Sequence, residues 1–336
     1  MLILSSSDLQ NMLNMSEVIE AVSTGLEEYS ASRTNTPLRT ILPVTKSGGN
    51  AIFMPASAEE VGCLGMKYVS TFPNNRKIGK KVINGVVLFM DIETGEPVAL
   101  LEASYLTVMR TGALSGAATK YLARPDSKVL SMIGTGEQAL GQLQAILAVR
   151  DIEKVQINNR SKQKALEFAA HIERLFPVSV SVYENADEAI DGADIIVTST
   201  SSNTPVFTSG AAPGVHINAI GSYQPTMREL PTCVISQAQK IVVESRDATV
   251  KEAGDLQIPI QEGKFSADRI HAELGEIISN RAAGRENESE VTIFKSVGFA
   301  AADIVVAKYF YEKALKEGIG QHVELGSAWS LDTIEA

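Results

Sequence analysis

A chain of 336 residues, 44% of them hydrophobic and 21% charged, holds enough apolar side chains for a substantial core and enough length for two domains, which excludes a disordered polypeptide. Thirty Lys and Arg against forty Asp and Glu give a formal charge of −10, so a polyanion is not the expected partner and nucleic acid is set aside. The start, MLILSSSDLQ, lacks the cationic and apolar segments of an export signal, and no run approaches the roughly 18 apolar residues of a membrane span, so no membrane partner is expected.

Residues 8 to 30 carry apolar positions at helical spacing, with Asp8 or Ser16 as candidate caps. From Arg39 to Met90 the short runs TILPV, NAIFMPA, GCLGMKYVS and VINGVVLFMD, broken by Gly, Pro and Asn, predict a sheet with flanking helices. DIETGEP at 91 to 97 reads as a turn, and VALLEA as a further apolar run. Residues 104 to 123 read as a loop entering a helix whose Gly, Ala and Ser permit close packing. The pattern then alternates: strand 128 to 133, helix 137 to 149, strand 154 to 158, helix 161 to 175, strand 178 to 183, helix 186 to 191, strand 193 to 198. VHINAIG and KIVVES add two strands, residues 298 to 315 a helix returning to the first domain, and the tail after Gly318 is expected to be loosely held. Strands alternating with helices at this rhythm imply right-handed crossovers and a parallel sheet.

KVLSMIGTGEQALGQLQAI places Gly134, Gly136 and Ala139 as GxGxxA directly after an apolar strand and at the opening of a helix. In that context the loop Gly134, Thr135, Gly136, Glu137, Gln138 is a candidate cradle for a dinucleotide pyrophosphate, the alternative being a turn that only packs a helix on a sheet. Asn159 stands 23 positions after Gly136, close to the roughly 20 at which an NAD-binding unit offers an acid to the ribose hydroxyls. Here the acid is missing and Asn159, Arg160, Ser161 and Lys162 follow, with Lys164 counted among the candidate contacts. A 2′-phosphate is repelled by an acid and held by a guanidinium and neutral donors, so NADPH is the implied cofactor and NADH is disfavoured; Arg160 and Lys162 as mere dressing of an exposed helix start is the competing reading. Thr198 and Thr200 in TSTSS, and Ile220, Gly221 and Ser222 in HINAIGSYQP, fall at the carboxyl ends of strands, where such folds bind ligands.

Several segments together resemble the ornithine cyclodeaminase and μ-crystallin family: FMPA, GMKYVSTFP, the run from DIETGEP to MRTGALSGAAT, IGTGEQA, NAIGSYQPTMREL and FKSVGFAAAD, in order over nearly the whole chain. The resemblance implies an α/β protein: a Rossmann-like doubly wound parallel sheet binding NADP, residues 119 to 304, and a second α/β domain for substrate and dimerisation, residues 1 to 118 completed by 305 to 336, usually as a homodimer. It also implies that Arg39, Lys67 and Arg110 converge on a substrate carboxylate, although their separations of 28 and 43 residues have no structural period. Pinning that carboxylate fixes which face of C2 meets a hydride. On that resemblance Arg110 and Lys67 are the candidate catalytic residues, Arg110 with Thr111 is expected to serve both substrate carboxylate and cofactor, and the nicotinamide is expected near Ile220 to Ser222 and the Val297-Gly298 turn.

Relatives that deaminate ornithine or oxidise alanine carry an Asp in the loop before Pro, where this chain has Tyr223 in Gly221-Ser222-Tyr223-Gln224-Pro225. A phenol with a pKa near 10 is no carboxylate base at pH 7, and GGNAIF offers no acid for a second amino group. The expected reaction is therefore reduction of a cyclic 2-ketimine acid, Δ1-pyrroline-2-carboxylate to L-proline, with Δ1-piperideine-2-carboxylate to L-pipecolate as a second case. An ornithine cyclodeaminase, an alanine dehydrogenase and a non-catalytic NADPH-binding protein are the alternatives. His216 is read as a satisfied core histidine, His171, His271 and His322 as forming no metal-ligand spacing, Glu229 and Asp303 as caps or buried hydrogen-bond partners, and no metal is expected. Cys63 and Cys233 are far apart and outside any CxxC pattern, which points to packing rather than disulfides and to the cytoplasm.

Overall fold

A computed structural model describes residues 1–325, and the chain divides into two compact units. One comprises Met1–Leu13, Asn35–Leu106 and the chain from Asp303; the other comprises Asn14–Thr34 and Thr107–Ala302. The partings fall at 106/107 and 302/303, inside the helices Ala103–Leu122 and Ala300–Glu317, whereas the sequence reading drew them at 118/119 and 304/305. The helix Met15–Ser30 also counts with the second unit. The portion of the expected C-terminal completion beyond residue 325 lies outside the described residues.

The first unit is built on one sheet of β1 (Leu2–Leu4), β2 (Thr34–Asn35), β3 (Thr40–Val44), β4 (Gly49–Ala58), β5 (Cys63–Thr71), β6 (Ile83–Met90) and β7 (Pro97–Glu102), with the short strand Gln321–His322. The order is Gln321–His322, β1, β7, β6, β5, β4, β2, and β3 pairs with β4 from off that path. Strands β3 to β7 are antiparallel to their sequence neighbours, and period-two alternation buries Cys63, Gly65 and Lys67 on a single face of β5. The helix Ala300–Glu317 covers that face: Ile304 meets Gly65, Lys308 Nζ donates to the Val61 carbonyl at 2.6 Å, and the Tyr311 ring packs on Phe89. The tail expected to be loose is tied down through Val323: Gln321 and His322 pair with Ile3 and Leu2, and the Val323 N–H donates to the Met1 carbonyl at 2.9 Å. The free backbone edge of β1 is the reason, since unpaired strand donors and acceptors recruit any chain that can reach them.

The second unit is an eight-stranded parallel sheet: β8 (Val129–Ile133), β9 (Lys154–Asn158), β10 (Ser179–Tyr183), β11 (Ile195–Thr198), β12 (His216–Ala219), β13 (Lys240–Val243), β14 (Ile270–Glu273) and β15 (Thr292–Lys295). Its order is β10-β9-β8-β11-β12-β15-β13-β14, so the chain winds outward from β8 through β9 and β10, then recrosses to β11. Every residue of β11, β12, β13 and β15 is buried, as in parallel strands covered on both faces. One face packs Leu130, Met132, Val155, Ile157 and Val197 against Leu143 and Ile172; the other packs Ile133, Ile196, Ile217 and Val243 against Ile190, Leu230 and Val234. The reversal of strand order between β8 and β11 makes a crevice at their carboxyl ends, the place where open parallel sheets take ligands.

Candidate functional site

The chain leaves β8 at Ile133 and turns at Gly134, which sits at φ +104°, donates its N–H to the Asn158 carbonyl at 2.9 Å, and has no room for a Cβ, which would lie 2.9 Å from the Ser199 carbonyl oxygen. Gly136 faces open space: a Cβ there would meet no atom within 4 Å. The helix Ala139–Leu147 then begins at Gln138 with no side-chain cap, its Ala139 N–H donating to the Gly136 carbonyl at 3.0 Å. Thr135 Oγ1 and Gln138 Oε1 are buried with no hydrogen-bond partner among the described residues, and Glu137 is exposed. An open loop, a helix start without a side-chain cap and the unmatched Thr135 hydroxyl fit the pyrophosphate of a dinucleotide, which offers acceptor oxygens; Gln138 Oε1, an acceptor, fits a donor such as a ribose hydroxyl instead.

At the end of β9 the side chains divide. Asn159 accepts from the Thr135 N–H at 3.3 Å and donates to the Ser161 carbonyl at 3.0 Å, so both ends of its amide brace the loop, a use its reading as a phosphate donor had not foreseen. Ser161 caps the helix Lys162–Leu175 through the Lys164 N–H, and Lys162 pairs with Glu184 at 2.5 Å on the surface. Arg160 is exposed, makes no hydrogen bond or ion pair among the described residues, and lines a cavity of about 510 Å³ with Asn158, Glu184, Asp187 and Phe207. Thr208 and Ser209, donating to Asp187, hold its carboxyl well below the ordinary Asp range against the effect of burial, and they fix the 205–209 wall of that cavity. Lys164 is exposed on the same helix start.

Three carboxylates and a lysine, of which the sequence reading had singled out only Glu229, organise the other strand ends. Glu229, fully buried, accepts four hydrogen bonds: from Thr198 Oγ1 at 2.9 Å and the Gly221 N–H at 2.8 Å on one oxygen, and from the Thr200 N–H at 2.6 Å and Thr200 Oγ1 at 2.7 Å on the other. It thereby ties the end of β11 to the end of β12. Burial and then the neighbouring Asp255 carboxylate raise its pKa, while Lys295 and the Thr200 donors pull the other way; with two donors on each oxygen, the geometry favours the ionised form. Asp255 accepts from the Glu229 and Leu230 N–H groups at 2.7 and 2.9 Å, and its other oxygen lies 3.2 Å from Lys295 Nζ, which also donates to the Ala219 carbonyl at 2.9 Å.

Glu244, at the end of β13, takes the Ser296 hydroxyl at 2.5 Å and the Val297 N–H at 2.7 Å, and the Gly298 N–H as well, so it holds the turn after β15. Burial raises its pKa, and Ser296, Val297 and the Arg110 guanidinium oppose that rise. Arg110 is itself buried on the helix Ala103–Leu122 and lies against Gly298, where a Cβ would stand 3.0 Å from one terminal nitrogen. Other candidates are used within the protein: Thr111 Oγ1 donates to the Thr107 carbonyl, Ser222 Oγ to the Met227 carbonyl, and Ile220 is buried. The available signal for Lys295 was a charge closing the apolar run of a short strand, and for Glu229, Glu244 and Asp255 their positions at strand exits or at a helix start.

Arg39 and Lys67 belong to the first unit, Arg110 to the second. Arg39 is half-buried just before β3. Lys67, on the covered face of β5, makes a buried ion pair with Asp303 on the helix above it, Nζ lying 2.9 Å from Oδ1 and 2.7 Å from Oδ2. Of the two readings, cap or buried hydrogen-bond partner, Asp303 takes the second, with a candidate catalytic lysine as its partner. Tyr223 is 47% exposed. His216 is a satisfied core histidine: it bonds Thr292 Oγ1 and Asn218 Oδ1, and burial, then Arg285, push its pKa down to about 3. Burial pushes the Cys63 thiol up to about 11, as befits packing, and no group of three His, Cys, Asp or Glu that could hold a metal occurs among the described residues.

The chain matches the model of the ornithine cyclodeaminase/mu-crystallin family over residues 1–318. It is 54% identical over 324 residues to a Δ1-pyrroline-2-carboxylate reductase of Bacillus cereus, covering 96% of this chain and 100% of that one. Among solved structures it is similar to the Thermococcus litoralis Δ1-pyrroline-2-carboxylate reductase in complex with NADH and L-proline, with a TM-score of 0.90, 40% identity, and 96% and 100% of the two chains covered. An archaeal alanine dehydrogenase dimer with bound NAD follows at a TM-score of 0.88 and 34% identity, over 97% and 99% of the two chains. The match runs through both units and every segment on which the resemblance rested, and the chain belongs to the ornithine cyclodeaminase/μ-crystallin family.

Proposed function

We propose that this protein is an NAD(P)H-dependent imine reductase that converts Δ1-pyrroline-2-carboxylate to L-proline, takes Δ1-piperideine-2-carboxylate to L-pipecolate as a second reaction, and prefers NADPH. The observation that carries the reaction is the 54% identity, end to end, with reductases of that name. The NADH and L-proline of the Thermococcus complex transfer to this chain as the cofactor class and the product. The second unit is the cofactor domain, with Thr135 to Gln138 on the pyrophosphate; the first is the substrate and dimerisation domain. The preference for NADPH rests on Arg160, an unengaged guanidinium in a cavity wall where an NAD-binding unit would present an acid.

When bound, the reduced nicotinamide supplies a hydride for C2 of the imine. Arg39, Lys67 and Arg110 are assigned to the substrate's carboxylate, which fixes the face of C2 that reacts. Lys67 is also assigned as the donor, directly or through water, of the proton that the imine nitrogen takes up, since an iminium carbon is far more electrophilic than that of a neutral imine. Glu229 and Glu244 keep the strand-end loops in place, and so exclude the reorganisation that would otherwise accompany binding. Leu38, Ile41, Leu42 and Val44 stand exposed along and just before β3, which supports a homodimer formed through this strip. Both cysteines are free, in keeping with the cytoplasm.

The test follows reductant absorbance with the five- and six-membered imines, with pyruvate plus ammonia, and with ornithine in the absence of reductant. Stereospecific formation of L-proline, faster with NADPH than with NADH, is the expected outcome. Proline and ammonia from ornithine, with no imine turnover, would overturn the reaction; faster NADH oxidation would overturn the cofactor preference alone.

A further inference from the structure

We infer that Asp303 is a positioning residue for the reaction: it aims the Lys67 ammonium and offsets its charge, so that a protonated imine can lie beside a buried lysine. The inference rests on the proposed imine reduction. Lys67 and Asp303 are 4% and 0% exposed at their side chains, and both carboxylate oxygens lie within hydrogen-bond distance of Nζ, at 2.9 and 2.7 Å. An ammonium has three N–H bonds in fixed tetrahedral directions, so contact with a carboxylate on a rigid helix limits where the remaining N–H bonds point. The backbone around the pair is equally constrained, Lys67 lying in register between Met54 on β4 and Val87 on β6, and Asp303 in the first turn of an 18-residue helix.

Charge gives the second half of the argument. Hydride addition is fastest to the iminium, and a lone buried ammonium next to that cation would oppose its formation. Paired with Asp303, Lys67 contributes a dipole instead of a lone charge, and its ammonium is held in a fixed direction. A purely structural Asp303, bonding its helix start or filling space, predicts something different: Asp303→Asn keeps the shape and one acceptor oxygen and would spare the chemistry.

The experiment is a double-mutant cycle of Asp303→Asn and Lys67→Gln in the full-length enzyme, with kcat expressed per cofactor-binding site and thermal melts recorded for each variant. Asp303→Asn is expected to lower kcat by about 30- to 1,000-fold with the KM for reductant within about threefold, and to change kcat little further in the Lys67→Gln background. Asp303→Glu, which retains the charge on a longer arm, should recover part of the loss, and it carries the comparison if the Asn variant does not fold. Wild-type kcat in Asp303→Asn, or equal losses in both backgrounds, would overturn the positioning role alone. A wild-type protein that turns over no cyclic imine would sink the functional reading and this inference together.

Discussion

Substituting Glu229 by Gln changes one atom in a buried site, and the outcome follows from counting donors. Each carboxylate oxygen receives one backbone N–H, from Thr200 on Oε1 and from Gly221 on Oε2, and one threonine hydroxyl. The hydroxyls can rotate and accept; the backbone N–H groups cannot. Whichever way the Gln amide is turned, its NH₂ therefore confronts one backbone donor. An orphaned buried donor costs about 1–3 kcal/mol, and loss of charge assistance on the remaining bonds brings the total to about 2–4 kcal/mol. Relief from Asp255 and loss of attraction to Lys295 act in opposite directions on that figure. The melting temperature should fall by about 5–10 °C, and because the displaced groups are the Thr198–Thr200 and Gly221 loops, the Kd for NADPH should rise about tenfold or more. Calorimetric melts and a fluorescence titration of the reductant measure both. A Glu229→Gln protein with wild-type melting and wild-type Kd would refute the claim that this carboxylate ties the two strand ends together.

Arg160→Asp should raise the KM for NADPH by about 10- to 100-fold and leave that for NADH within about threefold; steady-state kinetics with both reductants decide, and equal losses would remove the phosphate contact. Gly298→Ala forces a side chain into the left-handed region and sets its Cβ 3.0 Å from the Arg110 guanidinium, so kcat/KM for the imine should drop about tenfold or more; unchanged kinetics would show that Arg110 can move without consequence. His216, with its folded pKa depressed to about 3 against an unfolded value near 6.5, gives stability that is whole above pH 6.5 and declines as acid protonates the unfolded chain first, about 2 kcal/mol between pH 7 and pH 5. Denaturant titrations at those two pH values should show that loss in the wild type and not in His216→Gln, and identical pH slopes would refute it.

The parallel-sheet unit was open to sequence reading because parallel strands are short apolar runs with helices between them, and the strand assignments from Val129 to Val243 agree with the structure to within a few residues. Between KIVVES and the helix expected at 298 to 315, found at Ala300–Glu317, no element was read: the helices Arg246–Glu252 and Gly254–Gln261 and the strands β14 and β15 are short, and Pro259 inside a helix obscures its period. The tail as far as Val323 was misjudged for a different reason, since pairing between Gln321–His322 and β1 joins positions more than 300 residues apart and leaves no local signature.

Site residues divide along the same line. A glycine loop announces itself because backbone geometry dictates composition within a few positions, so Gly134 and Gly136 were legible. Glu244, Asp255 and Lys295 were opaque because a charged residue in sequence is ordinarily a surface residue; Glu229 and Asp303 had been read as caps or buried hydrogen-bond partners, and the fold shows that all five are buried. Burying a charge is unfavourable unless donors or a counter-ion meet it, and here each is met: four donors on Glu229, three on Glu244, a lysine beside Asp255 and another beside Asp303. Replacing such groups with apolar ones would often leave stability unchanged or improved. The placement of Glu229, Glu244, Asp255 and Lys295 about the strand ends of the parallel sheet, and of Asp303 against Lys67, is better explained by the need to hold polar geometry fixed in a reaction that moves a hydride and a proton.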